Sequence, residues 1–358
     1  MMTMHVAKVG ANDAAASGEA RVDGRFTMRG LSTLVAAAIV IGVVGSASDA
    51  AAQVRLRYAH VGVANAPQTL YADEVAKTVK ERTNGRVEIQ VFPNSQLGGV
   101  GEMVDGIKAG SIAMGHHDFA SLGKILPIVA VFNTPFVYRD AEHAMVATDP
   151  RTSAPLQDFN KQLVEKGGMR IIGSSYQGAR HLTSKEKVLS PKDMQGKKYR
   201  GVPIKLWSSM LTGMGAVATP VEVSELATAL ATGLVIGQEN PLPNIYNLKL
   251  YEVQKYVMLT GHMQSVLSTF INEKAWQAIP EADRKIIEEV MTEIGRKTLA
   301  WDKETAAKYR ADLEGKGMVF VEEKDGLDIA AFRTAVLAQV AKDFPDWTSH
   351  IEQIRAVK

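Results

Sequence analysis

The 358-residue chain contains no cysteine. That excludes disulfides, thiol nucleophiles and cysteine-ligated zinc or iron–sulfur centres, and it is compatible with an oxidising compartment. An excess of charge of either sign is missing as well. Lysine and arginine total 41 against 39 aspartates and glutamates, a net charge of +2, so neither nucleic-acid binding nor a role on a membrane surface is suggested. The eight histidines show no H-x-x-x-H or H-E-x-x-H spacing, and no G-x-S-x-G elbow occurs. Metal-assisted hydrolysis and a serine nucleophile of the α/β-hydrolase type therefore have no signature here. His116-His117-Asp118 invites a metal, but neighbouring histidines on an extended segment point to opposite faces. No apolar run is long enough to span a bilayer comfortably, at about twenty residues.

The longest such run, Leu31–Val44, has the length of a signal-peptide core. Arg21, Arg25 and Arg29 precede it, and Ala50-Ala51-Ala52 offers small residues for cleavage before Gln53. Residues 1–52 are thus expected to be a signal peptide, and the opening MRGLSTLV points to Met28 as the true start. With no lipobox cysteine, the mature chain is expected to be free in the periplasm. About three hundred residues remain, which is large for one core and comfortable for two lobes.

Val54–Tyr58 alternates like a strand with one buried face. Pro67–Arg82 reads as a helix with Leu70, Val75, Ala76 and Val79 on its buried stripe, closed at Asn84-Gly85. Val87–Phe92 alternates again, so a βαβ unit and a parallel sheet are expected, followed by a helix over Val100–Ala109 and a strand over Ser111–Gly115. In such sheets ligands sit beyond the carboxyl ends of the strands, which points to His60–Asn65, Asn94–Gln96 and His116–Phe119. Further on, Tyr176-Gln177-Gly178 reads as a flexible turn, Ser208–Met214 as a helix with Trp207 at its mouth, and Leu234–Gly237 as a strand that delivers Glu239 and Asn240 to its end. Gly261–Ile271 reads as a crossing strand, and Glu281 to about Leu313 as one proline-free helix, long enough to bridge.

The stretch from Gly178 to Pro241 places Arg180 and Arg200 among strands and turns, with the polar pair Glu239-Asn240 after a small apolar run. A guanidinium presents a planar fork that fits a carboxylate bidentately, which an ammonium cannot do. Arg200 is therefore the candidate clamp for the carboxylate of a small organic acid, with Arg180, Asn240 and Glu239 around it. The basic run Lys197-Lys198 before Arg200 also fits a solvated strand edge. Trp207, His117, Phe119, Asn65 and Tyr176 are secondary candidates for the ligand wall, each equally compatible with packing. A periplasmic enzyme using His117, Asp118 and Glu239 as acid–base groups is a second reading.

The array GAR…PKDMQGKKYR…GMGAVATPVEVSELATALATGLVIGQENP resembles the core signature of the DctP-like solute-binding proteins of TRAP transporters. FPNSQLGG at Phe92–Gly99 and FNTPFVYRDAEHA at Phe132–Ala144 fit the same family in the same order, so the likeness runs from about Val54 to the C-terminus. The resemblance implies an α/β, two-lobed periplasmic binding protein of the Venus-flytrap kind, with a hinge and a long helix spanning both lobes. The first lobe is expected over residues 53–177 plus about 267–304, and the second over 178–266 plus about 305–358. It also implies a periplasmic subunit that captures a small organic acid and hands it to TRAP membrane permease subunits. No nucleic-acid partner and no cofactor are implied, a monomer is the expected state, and a cation bound together with the ligand stays open. Residue by residue, Arg200 matches the family's carboxylate-clamping arginine, Arg180 the arginine of G-x-R, and Asn240 the asparagine of the E-N pair. Ile236 and Ala113 stand where aspartate is common. Pro203 and Val223 stand where the sialic-acid branch has asparagine and phenylalanine, which speaks against sialic acid. A ligand sensor docking on a membrane receptor would share every one of these residues.

Overall fold

A computed structural model describes residues 53–358, so the signal-peptide expectation lies outside the described residues. The chain builds one mixed sheet clothed by helices. Its first part alternates strand and helix: β1 (Val54–Ala59), α1 (Pro67–Arg82), β2 (Val87–Phe92), α2 (Val100–Ala109) and β3 (Met114–Asp118). Two short helices, α3 (Ala141–Ala147) and α4 (Ala154–Gly167), lead to the long strand β4 (Met169–Ser184). Next come β5 (Lys198–Gly201), α5 (Lys205–Gly213), β6 (Val217–Pro220), α6 (Leu226–Ala231), β7 (Gly237–Pro241) and α7 (Leu242–Asn247). A second long strand, β8 (Tyr256–Asn272), precedes α8 (Glu273–Gln277) and α9 (Glu281–Gly315), and the chain closes with β9 (Val319–Val321), α10 (Ile329–Asp343) and α11 (Thr348–Ala356).

The strand order is β2-β1-β3-β8-β4-β7-β5-β6, with β9 on β8. β1 pairs in parallel with β2 and β3, as the βαβ pattern requires, while β4 and β8 run antiparallel along almost their whole lengths. One end of β8 holds β3 and the far end of β4 holds β7, so these two strands carry the chain from one end of the sheet to the other. The expected break at Tyr176–Gly178 is instead an irregularity inside a continuous strand. The register slips between Tyr176 and Ala179, where Gly178 takes φ +111°, a conformation that favours glycine.

Burial sorts the expected stripes. Helix α1 begins on Pro67, whose missing N–H costs nothing at the first helical position, and it buries Tyr71, Ala72, Val75 and Val79. Leu70, assigned to that stripe from the sequence, is 47 % exposed. It sits one position off the arc that faces β1 and β2. The segment Glu222–Thr232, whose Val223, Leu226, Ala227 and Leu230 would share one face of a continuous helix, is a 3-10 turn (Val223–Glu225) followed by the shorter α6, and Ala227 is exposed.

Helix α9 carries the expected length, 35 residues and therefore roughly 50 Å. It has no internal proline, and i,i+4 pairs such as Lys285–Glu281 and Lys297–Glu293 line its outer face. It packs on β4, α1 and α7. One close approach is at Gly295, where an added Cβ would lie 2.3 Å from the Ser174 carbonyl oxygen. Alanine in a helix is ordinarily favoured over glycine by about 1 kcal/mol. Here the neighbour is backbone and cannot swing aside, so Gly295→Ala is expected to destabilise by about 1–3 kcal/mol. The control is Gly315→Ala on the same helix, where a Cβ meets open space and no loss is expected. Equal urea midpoints for the two variants would refute the contact.

Candidate functional site

Strand registry brings Arg180 and Glu239 together. Arg180 pairs with Pro241 and Leu182 with Glu239, so the arginine and the glutamate are diagonal neighbours on one face of β4 and β7. Arg180 donates through Nε and Nη2 to the Glu239 carboxylate at 2.5 and 2.8 Å, and Nη2 also reaches the Asn240 Oδ1 at 3.2 Å. Trp207 Nε1 donates to the same carboxylate at 2.8 Å and His262 Nε2 does so at 3.1 Å. All five side chains are buried. Burial pushes the Glu239 carboxyl up, but the Arg180 charge and the donors around it outweigh that and hold it near 2. Glu239 is the hub of an internal network, its hydrogen-bonding capacity taken up by the protein.

Arg200 is placed differently. Strand β5 carries it inward, only 2 % exposed, and its Nε donates to the Val221 carbonyl at 2.7 Å. Among the described residues neither of its Nη nitrogens makes a hydrogen bond. Burial lowers its pKa, and the neighbouring Arg180 lowers it further. The Glu239 charge only partly offsets this, leaving it near 10 and so still charged at neutral pH. A pinned, buried guanidinium with its fork unused is prepared for an anion.

The space in front of Arg200 is a cavity of about 30 Å³. It is reached by Arg180, Asn240, His117, Asp118, Gln177 and Glu222, with valines 61, 100, 202 and 223 as its apolar surface and Gln68 and Asn244 at its sides. Among the described residues, Asp118 Oδ1, Gln177 Oε1, Glu222 Oε2 and Asn244 Oδ1 are buried there with no hydrogen-bond partner, as is His117 Nδ1. Burial raises the Asp118 carboxyl to about 7 despite the nearby Arg180. Burial, with Arg180 and Arg200 close by, lowers His117 to about 3 and keeps it neutral. Burial also raises Glu222, which lies over the amino end of α2 at Gly99.

Of the sequence candidates, Arg200, Arg180, Asn240, His117 and Asp118 meet at this cavity. The others do not reach it. Trp207 lies inside α5 rather than at its mouth, fully buried, and holds Glu239 from behind. Phe119 packs on Phe132 in the core. Asn65 is exposed, with only its carbonyl engaged, by Asn247 at 3.2 Å. Tyr176 donates to Gln264 at 2.5 Å and faces a separate cavity. Two strands are also offset from expectation: β3 runs on through His116 and His117, and β7 contains Glu239 and Asn240 instead of ending before them. The two histidines do point apart, His116 bonding the Tyr58 hydroxyl at 2.8 Å on the other face. Gln68 and Asn244 escaped notice because each lies on a different helix with no motif around it, and Glu222 because it stands within the family array without any role attached to it. The one available signal was the position of Gln68 in α1, after the first strand.

A sequence model of the family described as "Bacterial extracellular solute-binding protein, family 7" (DctP) matches residues 58–345. The chain belongs to this family. A solute-binding protein of Roseobacter denitrificans is 30 % identical over 310 residues, covering 86 % of this chain and 94 % of the relative. Among solved structures, a TRAP periplasmic solute-binding protein from Roseobacter denitrificans with bound L-galactonate superposes with a TM-score of 0.77 at 29 % identity, covering 84 % of this chain and 99 % of that one. Another from Polaromonas sp. JS666, bound to D-erythronate, gives 0.78 at 29 % identity, with coverage of 86 % and 99 %. DctP-family proteins bind solutes, and these neighbours are two-lobed binding proteins, in keeping with the α/β fold and the long helix seen here.

Proposed function

We propose that the protein captures a polyhydroxylated monocarboxylic acid in the cavity before Arg200, as the binding subunit that serves a TRAP membrane permease. The observation that carries this reading is the mismatch of unused groups: a donor fork on Arg200 and four orphaned acceptors on Asp118, Gln177, Glu222 and Asn244. Buried polar groups without partners are costly, at about 1–3 kcal/mol each. One ligand that brings a carboxylate at one end and several hydroxyl donors along its length satisfies them all. The valines are suited to the C–H faces of such a chain. A second carboxylate would meet Asp118 and Glu222, so dicarboxylates are disfavoured electrostatically. L-Galactonate and D-erythronate, bound by the two solved relatives, have the proposed chemistry.

A cavity of about 30 Å³ holds little more than water, so the ligand enters when the walls part. The proposed lobes are residues 53–177 with about 267–304 and 178–266 with about 305–358. The boundary is supported by the register slip in β4 after Tyr176 and by the positive-φ Gly178. Closure then traps the acid against Arg200, shifting an open–closed equilibrium. Export by a signal peptide and a role in binding without turnover complete the proposal. Of the three acid–base candidates only Asp118, near 7, is poised at neutrality, and His117 near 3 and the fully engaged Glu239 leave it without a partner group, which favours binding over catalysis.

The test is a thermal-shift and calorimetric panel on residues 53–358. Aldonates are expected to stabilise, by about 2.7 kcal/mol at a hundred times Kd. Hexanoate, succinate and the aldonamides are expected to do little. Equal stabilisation by hexanoate or succinate would overturn the hydroxyl argument, and stabilisation by the amides alone would overturn the clamp.

A further inference from the structure

A second cavity, of about 350 Å³, lies on the other side of Gln177, between α1, the slip in β4, the start of α7 and the middle of α9. Pro67, Leu70 and Glu74 come from α1, Pro243 from α7, and Trp301, Asp302 and Tyr309 from α9, with Tyr176 between them. Three aromatic side chains and the exposed Leu70 give it an apolar body. Two carboxylates, Glu74 and Asp302, are set into that body. Among the described residues neither has an ion-pair partner or accepts a side-chain hydrogen bond, and burial alone raises Asp302 to about 6. The cations nearest along α9 are committed elsewhere: Lys303 to Glu142, Lys308 to Asp312, and Arg310 to Glu314 and Glu322. The close approach of Asp302 to Gly178, 3.0 Å from where a Cβ would stand, keeps the carboxylate beside the crossover strand.

From the lining of this cavity we infer that it is a second binding site, for an organic ammonium with an apolar or aromatic body. Aromatic faces attract cations, and a carboxylate without a counter-charge accepts strong hydrogen bonds from N–H⁺. The apolar walls take the rest of such a ligand. A bare metal ion does not fit, because the other oxygens of the lining are neutral, the Tyr176, Thr298 and Thr305 hydroxyls already donate within the protein, and no group of three metal-ligating side chains occurs among the described residues. The chemistry is opposite in charge to that of the Arg200 cavity, so the two sites do not compete for one class of solute. The inference stands independently of the acid proposed above.

The probes are phenethylammonium and its uncharged counterpart, phenethyl alcohol, titrated by calorimetry into residues 53–358 in the absence of any organic acid. Saturable binding of the ammonium is expected, with the alcohol at least about tenfold weaker. Asp302→Asn is nearly isosteric and is expected to weaken the ammonium by about tenfold, the factor for losing one charge-assisted hydrogen bond. Tyr309→Leu, which removes one ring, should weaken it as well, while aldonate binding by both variants remains as in the unaltered protein. Equal affinity for ammonium and alcohol, no saturation by the ammonium, or unchanged ammonium affinity in Asp302→Asn would each overturn the site.

Discussion

Arg200→Ala is expected to weaken binding of the organic acid by at least about thirtyfold, the lower end of what losing one partner of a buried, hydrogen-bonded charge pair costs. The guanidinium is pinned by its Nε–H to the Val221 carbonyl at 2.7 Å, so it does not need to be ordered by the ligand. It is buried and still charged at neutral pH, and among the described residues its two Nη nitrogens have no acceptors. Arg200→Lys is expected to bind nearly as poorly, because a lysine keeps the charge but loses both the fork and the anchor to Val221. Stability should move the other way. A buried cation without full compensation destabilises the unliganded fold, so Arg200→Met, which preserves volume, is expected to melt no lower than the unaltered protein. Calorimetry gives the affinity and a thermal melt the stability. Full affinity in Arg200→Lys, or a large loss of unliganded stability in Arg200→Met, would assign Arg200 to the scaffold instead.

The largest effect on stability is expected at Glu239. Glu239→Gln removes the negative charge from a hub that serves Arg180, Trp207 and His262, all buried, and leaves the Arg180 cation without its counter-ion. Breaking one side of a buried pair costs about 3–5 kcal/mol, a large share of the 5–15 kcal/mol typical of a fold. Removing the cation too should restore part of that loss, so Arg180→Met/Glu239→Gln is expected to be more stable than Glu239→Gln alone. The acid limb of stability follows from the same pair. The folded pKa of Glu239 is held near 2, below the ordinary value of 4.5, so its contribution is fully present above about 4.5 and is lost as pH falls towards 2. The shift corresponds to about 3 kcal/mol, and Glu239→Gln should flatten the urea-midpoint profile over that window. A double variant no better than the single one, or an unchanged acid limb, would show that the pair does not act as a buried ion pair.

These two arginines show what a sequence can and cannot separate. Both stand in strands, both carry the same group, and the family likeness attaches both to one site. What distinguishes them is the strand register: β7 slides Glu239 diagonally opposite Arg180 and fills its fork, while β5 places Arg200 opposite Thr219 on its other neighbour, with only the Val221 carbonyl in reach. Register is a pairing between segments far apart in the chain, and a local pattern does not contain it. The same reason explains Trp207, which at a helix mouth resembles a stacking platform and in the fold supports Glu239. Leu70 shows the limit of periodicity, since a helix can place a leucine one step off its buried arc and leave it to line a cavity instead.

The sequence by itself determined the elements whose signals are local. Pro67 starting α1, the alternation of Val87–Phe92, the extent of Val100–Ala109 and the proline-free length of α9 all appear where their residues place them, because caps, side-chain period and backbone propensity act within a few residues. The ordered motifs likewise pointed to the family that the match over residues 58–345 shows. Tertiary structure decided everything that depends on which groups remain unpaired after folding. The free fork of Arg200, the orphaned acceptors of Asp118, Gln177, Glu222 and Asn244, and the unbalanced Asp302 become visible only once packing has assigned every other partner. Recognition uses the hydrogen bonds and charges that the fold does not consume, and that remainder is a property of the whole chain.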